Sequence, residues 1–286
     1  MLEIRPTNPS PSGLEEVAEL LAAVFPRATY IDAAYLDWTY RQNPGGDALG
    51  FNAYAEGRLV SHFAVTPLRA RIDGEDERGL QMQHAATRPE YRGRGLFVEL
   101  TERALRAGAE AGYGFAVAPV NASSTRGFVE KLGFQLVRAF DVKLGVGPTP
   151  PRSSEPAGAS VQFERVWNQA SLAWRLARPD LPYRALRRGD YASVFASSGL
   201  LGIQVELGTF PSHCVPDSLP PVSFANPMRV WIGVDPSRRW SLRHYVDIPL
   251  RLRPSPLNFV FRDLTGRGRR LEADRLRADM LDYDQF

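Results

Sequence analysis

The fold is decided by the stretch Arg92-Gly93-Arg94-Gly95-Leu96-Phe97, which we call the glycine loop. Residues 80–87 before it have the pattern of a strand, and residues 98–110 after it have the spacing of a helix. Glycines let the backbone approach a ligand closely, and the first turn of a helix has N–H groups without intrahelical partners. Two arginines add positive charge. This arrangement is typical of a phosphate site, although a basic surface turn that caps a helix has the same pattern.

The residues after this helix help to choose between a phosphate site and a surface turn. An apolar strand is predicted over residues 113–119, and residues 121–125 predict a helix N-terminus. A short helix ends at Lys131-Leu132-Gly133-Phe134, and a strand follows at residues 135–138. This order, with residues 89–95 before it, resembles the GCN5-related N-acetyltransferase (GNAT) superfamily.

The resemblance implies an α/β fold, with an acetyltransferase-like mixed central sheet flanked by helices. It covers residues 1–145, which we expect to be an acyl-CoA-binding domain. Residues 146–159 are rich in Pro, Gly and Ser and predict a linker to a second unit at residues 160–286. The helix predicted at residues 35–40 and the helix predicted at residues 171–176 have similar sequences, and each is followed by a pair of strands. This faint repeat predicts two tandem halves, although any two helix–hairpin segments resemble each other to this extent. Because the second half has no counterpart of the glycine loop, we expect it to bind no CoA and to close the acceptor side.

The resemblance also implies how acetyl-CoA, the expected co-substrate, binds. In the family the pyrophosphate lies on the amides of the glycine loop. The pantetheine arm pairs with the strand before that loop, and its amide meets an Asn at the start of the later helix. The cofactor site predicted on this basis comprises Ala85, Ala86, Thr87, Arg92, Gly93, Arg94, Gly95, Leu96, Phe97, Asn121 and Ser124.

Amine acylation needs a proton acceptor for the amine and usually a proton donor for the departing thiolate. His84 is the predicted catalytic base, because it is the only histidine near the predicted cleft and the unperturbed pKa of a histidine side chain is near neutrality. A buried structural histidine is the alternative, since successive strand residues face opposite sides, and His62 has the same ambiguity. Many family members have a Tyr shortly before Leu-Gly-Phe, where this chain has Phe128 and Val129. The acid is therefore unassigned, and its candidates are Ser124, Tyr91 and Tyr113.

Composition excludes several classes of protein. The formal net charge of +3 is small, so we expect no nucleic-acid partner. No run of about twenty apolar residues predicts a membrane span, and residues 1–5 lack the layout of a signal peptide. Cys214 is the only cysteine, which excludes an intramolecular disulfide and a cysteine-based metal cluster. We therefore expect a cytoplasmic protein without a metal, either a monomer or a homodimer.

The leading hypothesis is an N-acyltransferase that moves an acetyl group from acetyl-CoA to a primary amine on a small molecule. An aromatic Trp-x-Tyr helix before Asn43-Pro44 and a degenerate second half resemble a bacterial group, some of whose members acylate nucleotide-linked amino sugars. One alternative is acylation of a peptide, protein or antibiotic amine. A tRNA-dependent peptidyl transferase is a distant variant, against which the glycine loop argues. The other alternative is a non-catalytic acyl-CoA-binding regulatory module, which the missing Tyr favours.

Overall fold

The computed structural model describes residues 2–152, 161–199, 202–222, 227–253 and 257–283, and the structural statements below refer to these residues. None of their helices is long and apolar enough to cross a membrane. The first half of the chain contributes β1 (Leu2–Pro6), α1 (Pro11–Val24), α2 (Ala33–Tyr40), β2 (Leu49–Ala55), β3 (Arg58–Ile72), β4 (Glu75–Thr87), α3 (Leu96–Glu110), β5 (Phe115–Val120), α4 (Ala122–Arg126), β6 (Gln135–Ala139) and β7 (Asp141–Val146).

The second half has fewer helices and shorter strands. A helical turn at Ser212–Cys214 follows its fourth strand, where the first half has the glycine loop and α3. Its elements are β8 (Phe163–Arg165), α5 (Gln169–Leu176), β9 (Arg184–Arg188), β10 (Tyr191–Ser197), β11 (Gln204–Pro211), β12 (Met228–Val234), β13 (Tyr245–Asp247), β14 (Asn258–Asp263) and β15 (Ala278–Asp279).

These strands form two mixed sheets. The first sheet has the order β1-β2-β3-β4-β5-β14-β6, with β8 also paired to β3. The second has the order β13-β7-β12-β11-β10-β9, with β15 also paired to β12. In each sheet one neighbouring pair is parallel, β4 with β5 and β11 with β12, and the other pairs are antiparallel. Two mixed sheets with flanking helices confirm the predicted fold class.

The two halves exchange strands: besides β8, which pairs with β3, each half places one strand inside the sheet of the other. In the first sheet β14, from the second half, lies between β5 and β6. In the second sheet β7, from the first half, lies between β12 and β13. The division into residues 1–145, 146–159 and 160–286 stays a prediction, and these two strands cross it in opposite directions. Each half therefore completes the sheet of the other.

The repeat recognised in the sequence corresponds to α2 and α5, which meet in a reciprocal contact. Asp32 caps α2 and Asn168 caps α5, and each side chain accepts a hydrogen bond from the backbone N–H three residues later. Trp38 and Trp174 stack with ring centroids 4.9 Å apart. Each indole Nε1 donates to the backbone carbonyl of the other tryptophan at 3.0 Å. Such reciprocity is typical of a two-fold interface, so the halves pack as two copies of one unit would.

Helices cover both faces of the first sheet. Leu100, Ala104 and Leu105 of α3 are buried against β2–β5, and the apolar face of α1 packs with α2 on the opposite side. Gly108 lets α3 approach β4 closely, because a Cβ there would lie 2.3 Å from Leu80 Cδ1. This contact seats the C-terminal part of α3 on the middle of β4.

We predict that a fragment of residues 1–145 does not fold, because the exchanged strand is missing from it. Buried Phe259, Val260 and Phe261 of β14 would be lost from the core between β5 and β6. Each buried Phe contributes about 3–5 kcal/mol, and a whole domain has only about 5–15 kcal/mol of stability. Circular dichroism during thermal unfolding measures this.

A matched control restores the strand in the fragment. Asn258 and Ala139 are direct partners, so a short glycine-containing turn can join residues 1–139 to residues 258–264 as a hairpin. This version should recover cooperative unfolding. Cooperative unfolding of the plain 1–145 fragment at the temperature of the full chain would contradict the prediction.

Candidate active site

The candidate site is a slot between β4 and β5. These strands are paired only between residues 79–81 and residues 115–117. Beyond that point they diverge, and a cavity of about 860 Å³ opens between residues 82–85 and residues 118–120. Among the described residues, no strand pairs with β4 on this side beyond residue 81, so an extended ligand can pair with it.

The glycine loop connects the end of β4 to α3. Gly93 and Gly95 have φ angles of +75° and +78°, a region that favours glycine. Gly95 is the N-cap of α3 and offers no side chain to the first turn. The first helical bond runs from the N–H of Glu99 to the carbonyl of Gly95 at 3.0 Å. The N–H groups of residues 96–98 therefore face outward without a partner among the described residues, as at an anion site.

Both arginines of the loop are exposed and anchored to nearby backbone. Arg92 Nε donates to the carbonyl of Thr87 at 3.2 Å. Arg94 donates to the carbonyl of Glu90 at 3.2 Å, and its guanidinium lies 4.8 Å from the ring centroid of Tyr91. A guanidinium has five N–H donors, so each retains several for a phosphate.

The slot continues from the loop to His84. A second cavity, of about 350 Å³, adjoins the first and reaches the loop. Asn121 caps α4, and its Oδ1 accepts from the backbone N–H and the hydroxyl of Ser124 at 3.0 and 2.9 Å. Its carboxamide nitrogen remains available as a donor. Of the predicted cofactor residues, the following line one or both cavities: Ala85, Ala86, Thr87, Arg92, Phe97, Asn121 and Ser124.

His84 lies in a β-bulge. The register of β3 on β4 skips one residue here, so that His84 and Ala85 together oppose Phe63. The φ angle of His84 is +37°, which is strained by about 1–3 kcal/mol for a residue with a side chain. Bulges re-aim side chains beside active sites, and the simple alternation of a strand does not predict their direction.

The ring of His84 is half-buried in the wall of the larger cavity. Its Nδ1 lies 2.9 Å from the hydroxyl oxygen of Tyr40, inside the core. Removal from water lowers the pKa of His84 to about 3, and the nearby charge of Arg178 lowers it as well. The imidazole is therefore neutral at neutral pH. Its role as a base stays a prediction, but it both faces the cavity and is bonded to the core.

The acetyltransferase (GNAT) domain family matches residues 3–137. Residues 3–137 therefore form a GNAT domain. No curated protein matches the chain. Similar solved structures extend over both sheets, and because they are only 10–11% identical to this chain they show the fold alone. One is a GCN5-related N-acetyltransferase from Anabaena variabilis, with a TM-score of 0.60 and 10% identity over 92% of this chain and 73% of that chain. A probable N-acyltransferase from Enterococcus faecalis has a TM-score of 0.58 and 11% identity over 92% of this chain and 73% of that chain. Eis1 from Mycobacterium abscessus has a TM-score of 0.59 and 11% identity over 92% of this chain and 74% of that chain.

In this GNAT domain Phe128 lies near the position where the family resemblance implies a Tyr. It lines the slot and packs edge-to-face on Phe97, and it has no proton to donate. Of the three candidate acids, Ser124 lines the slot. Tyr91 lies under Arg94 and Tyr113 under Arg78, and neither lines the described cavity. The acid stays unassigned, with Ser124 the best placed of the three.

The second half has an equivalent slot that the chain itself fills. β11 and β12 are paired over residues 204–206 and residues 229–231, and β11 has a bulge just beyond them. In the open space β15 pairs with β12, with Asp279 opposite Gly233 and Ala278 opposite Val234. The strand that fills this slot is not recognisable from sequence pattern, because it is only two residues long.

We predict that acetyl-CoA binds once per chain and that the double variant Arg92→Ala, Arg94→Ala binds roughly ten- to a thousandfold more weakly. Charge-assisted hydrogen bonds from these two exposed guanidiniums to phosphate contribute about 1.4–4 kcal/mol together, and both residues belong to the loop that leads into the open amides of α3. Isothermal titration calorimetry measures both affinity and stoichiometry.

The matched control for this titration is Arg103→Ala, Arg106→Ala, which removes the same charge from exposed positions further along α3. It should bind acetyl-CoA as the unchanged chain does. Equal weakening in both double variants would show that the general positive charge, rather than the loop, holds the ligand.

Proposed function

We propose that this chain is an acyl-CoA-dependent N-acyltransferase that transfers an acetyl group from acetyl-CoA to a primary amine on a small molecule. One observation carries the proposal: a continuous slot begins at the open amides of the glycine loop and ends at a neutral histidine. The first end suits a pyrophosphate, and the second suits proton transfer. Acetyl-CoA has about this extended shape, and when bound it supplies the activated thioester.

The chain's own residues would bind and orient the reactants. The amides of residues 96–98 and the two loop arginines hold the pyrophosphate, and the unpaired edge of β4 pairs with the pantetheine arm. The bulge leaves one residue of β4 without a ladder partner. A free backbone N–H at this point is suited to polarise the thioester carbonyl, as an oxyanion donor does.

His84 Nε2 would accept a proton from the ammonium form of the acceptor. The freed amine nitrogen then forms a bond to the acyl carbon, and the bond from that carbon to sulfur breaks. Phe128 cannot protonate the departing thiolate, so the sulfur takes its proton from water or from the hydroxyl of Ser124. Because burial lowers the pKa of His84 to about 3, the ring is a weak base, and the proton passes through it to water rather than residing on it.

The residues that line the acceptor end of the cavity favour a small-molecule acceptor. It is lined by the segment between α1 and α2, including Phe25, Tyr30 and Ile31. Among its described lining residues Arg27, Tyr30 and His84 are titratable and none is a carboxylate. A polycationic acceptor would be favoured by carboxylates, whereas this lining suits an amine whose remaining groups are uncharged or anionic. A nucleotide-linked amino sugar fits that description better than a basic peptide does.

A non-catalytic acyl-CoA-binding module is the second candidate. The observation that favours it is Phe128, which puts an apolar ring where the family resemblance implies a proton donor. Such a module would bind acetyl-CoA tightly and would show no turnover with any amine. Steady-state assays with a panel of amines, including nucleotide-linked amino sugars, separate the two candidates.

We predict that His84→Asn lowers kcat by about 10²- to 10⁴-fold and leaves the affinity for acetyl-CoA unchanged. Asparagine tolerates a positive φ, and its carboxamide can replace Nδ1 as the hydrogen-bond partner of Tyr40 in either direction. The substitution therefore removes mainly Nε2. The assay is steady-state kinetics on an amine that the unchanged chain acylates.

His213→Asn is the control, because His213 is exposed on the turn after β11 and lies outside the slot. It should keep the full kcat. If His84→Asn also kept the full kcat, His84 would be a structural histidine and the base would lie elsewhere.

A further inference from the structure

Behind His84 the core contains a continuous row of polar side chains that the mechanism above does not use. Donor–acceptor distances along it, starting at His84 Nδ1 and ending at Glu16 Oε2, are 2.9, 2.9, 2.6, 3.3 and 2.8 Å. We call it the polar row, and after His84 it comprises, in order, Tyr40, His62, Asn52, Tyr54 and Glu16.

The polar row crosses the core from the cavity to the surface. Tyr40, His62 and Asn52 are at most 2% exposed, whereas Tyr54 and Glu16 are only half-buried. Five elements supply its members: α1, α2, β2, β3 and β4. Buried polar groups in such a position are stable only when each is hydrogen-bonded, so every donor in the row must face an acceptor.

The direction of these hydrogen bonds follows from the surface end. A carboxylate only accepts, so the hydroxyl of Tyr54 donates its single proton to Glu16. The oxygen of Tyr54 must then accept from Asn52, which places the carboxamide nitrogen of Asn52 toward Tyr54. The carbonyl oxygen of Asn52 consequently faces His62 Nδ1 and the hydroxyl of Thr7, and it accepts from both.

The same logic continues to the cavity. Burial lowers the pKa of His62 to about 3, so its ring is neutral, and a proton on Nδ1 leaves a lone pair on Nε2. Burial also raises the pKa of Tyr40, which keeps its hydroxyl protonated. Tyr40 therefore donates to His62 Nε2 and accepts from His84 Nδ1. The proton of neutral His84 is thus on Nδ1.

We infer that Glu16, acting through Tyr54 and Asn52, fixes the tautomer of His84 so that the lone pair of Nε2 faces the cavity. These three are positioning residues, and the inference rests on the proposed function because the lone pair is what accepts the acceptor's proton. In the opposite direction of the row, Nε2 would hold a proton and could only donate.

Glu16 decides between two directions that are otherwise equivalent. Reversing every bond from Tyr54 to His84 and flipping the carboxamide of Asn52 preserves the hydrogen bonds between those residues and loses only the one from Tyr54 to Glu16. Only the acceptor at the surface end distinguishes the two arrangements. The amide of Asn52 does not readily exchange protons, so the row sets direction and does not conduct the proton out to Glu16.

The test is nitrogen-15 NMR of the ring nitrogens, which distinguishes protonated from unprotonated nitrogens in a chain with only four histidines. The full-length protein should have His84 protonated at Nδ1 and unprotonated at Nε2. Glu16→Lys replaces an acceptor by a donor, so the proton of His84 should move to Nε2 and that of His62 from Nδ1 to Nε2. The kcat should fall at least about tenfold, with the affinity for acetyl-CoA unchanged.

Glu15→Lys is the matched control, because Glu15 is exposed, neighbours Glu16 on α1 and undergoes the same change of charge. It should keep the tautomer and kcat of the unchanged chain. Tyr54→Phe removes the hydroxyl that links Asn52 to Glu16, so it should also change the tautomer of His84.

Two results would overturn the inference: Nε2 protonated in the unchanged chain, or the tautomer of His84 unaltered in both Glu16→Lys and Tyr54→Phe. The NMR measurement needs no turnover. A chain that acylates no amine but shows the tautomer change would therefore contradict the proposed function and leave the assigned direction intact.

Discussion

The rest of this structure depends on the divergence of β4 from β5 after three paired residues. Backbone groups released by that divergence must find other partners, because unpaired buried N–H and C=O groups are strongly destabilising. β5 itself is held in the sheet by β14, which pairs with all six of its residues along the edge away from β4. The second half of the chain therefore holds the slot open, although the cavity lining itself comes from the first half. This dependence explains why the two halves are interwoven rather than joined only by a linker.

Both halves have the same divergence, and they resolve it differently. In the first half the open edge of β4 is left to a ligand, next to the glycine loop and its basic side chains. In the second half β15 pairs with β12 at the corresponding place, and a short turn follows β11 where α3 follows β4. One open slot and one filled slot are what duplication followed by loss of ligand binding would leave.

Local features of the site were predictable from the sequence, and those that need distant partners were not. The glycine loop has its signal in neighbouring residues, since Gly93 and Gly95 adopt positive φ angles before a helix. The repeat of α2 and α5 was also recognisable from the spacing around Trp38 and Trp174. The bulge at His84, however, depends on how β3 pairs with β4, and the exchange of β14 depends on contacts more than 100 residues apart. The polar row has no sequence signature, because its members are spread over five elements.

The most direct test of the account is a crystal structure of the chain with CoA. The account predicts one CoA per chain, with its pyrophosphate on the amides of residues 96–98 and its pantetheine arm paired with β4. The thiol would then lie beside the bulge, on the side of the cavity that His84 Nε2 faces. CoA bound against the second sheet, or on the surface with its thiol away from His84, would contradict the account.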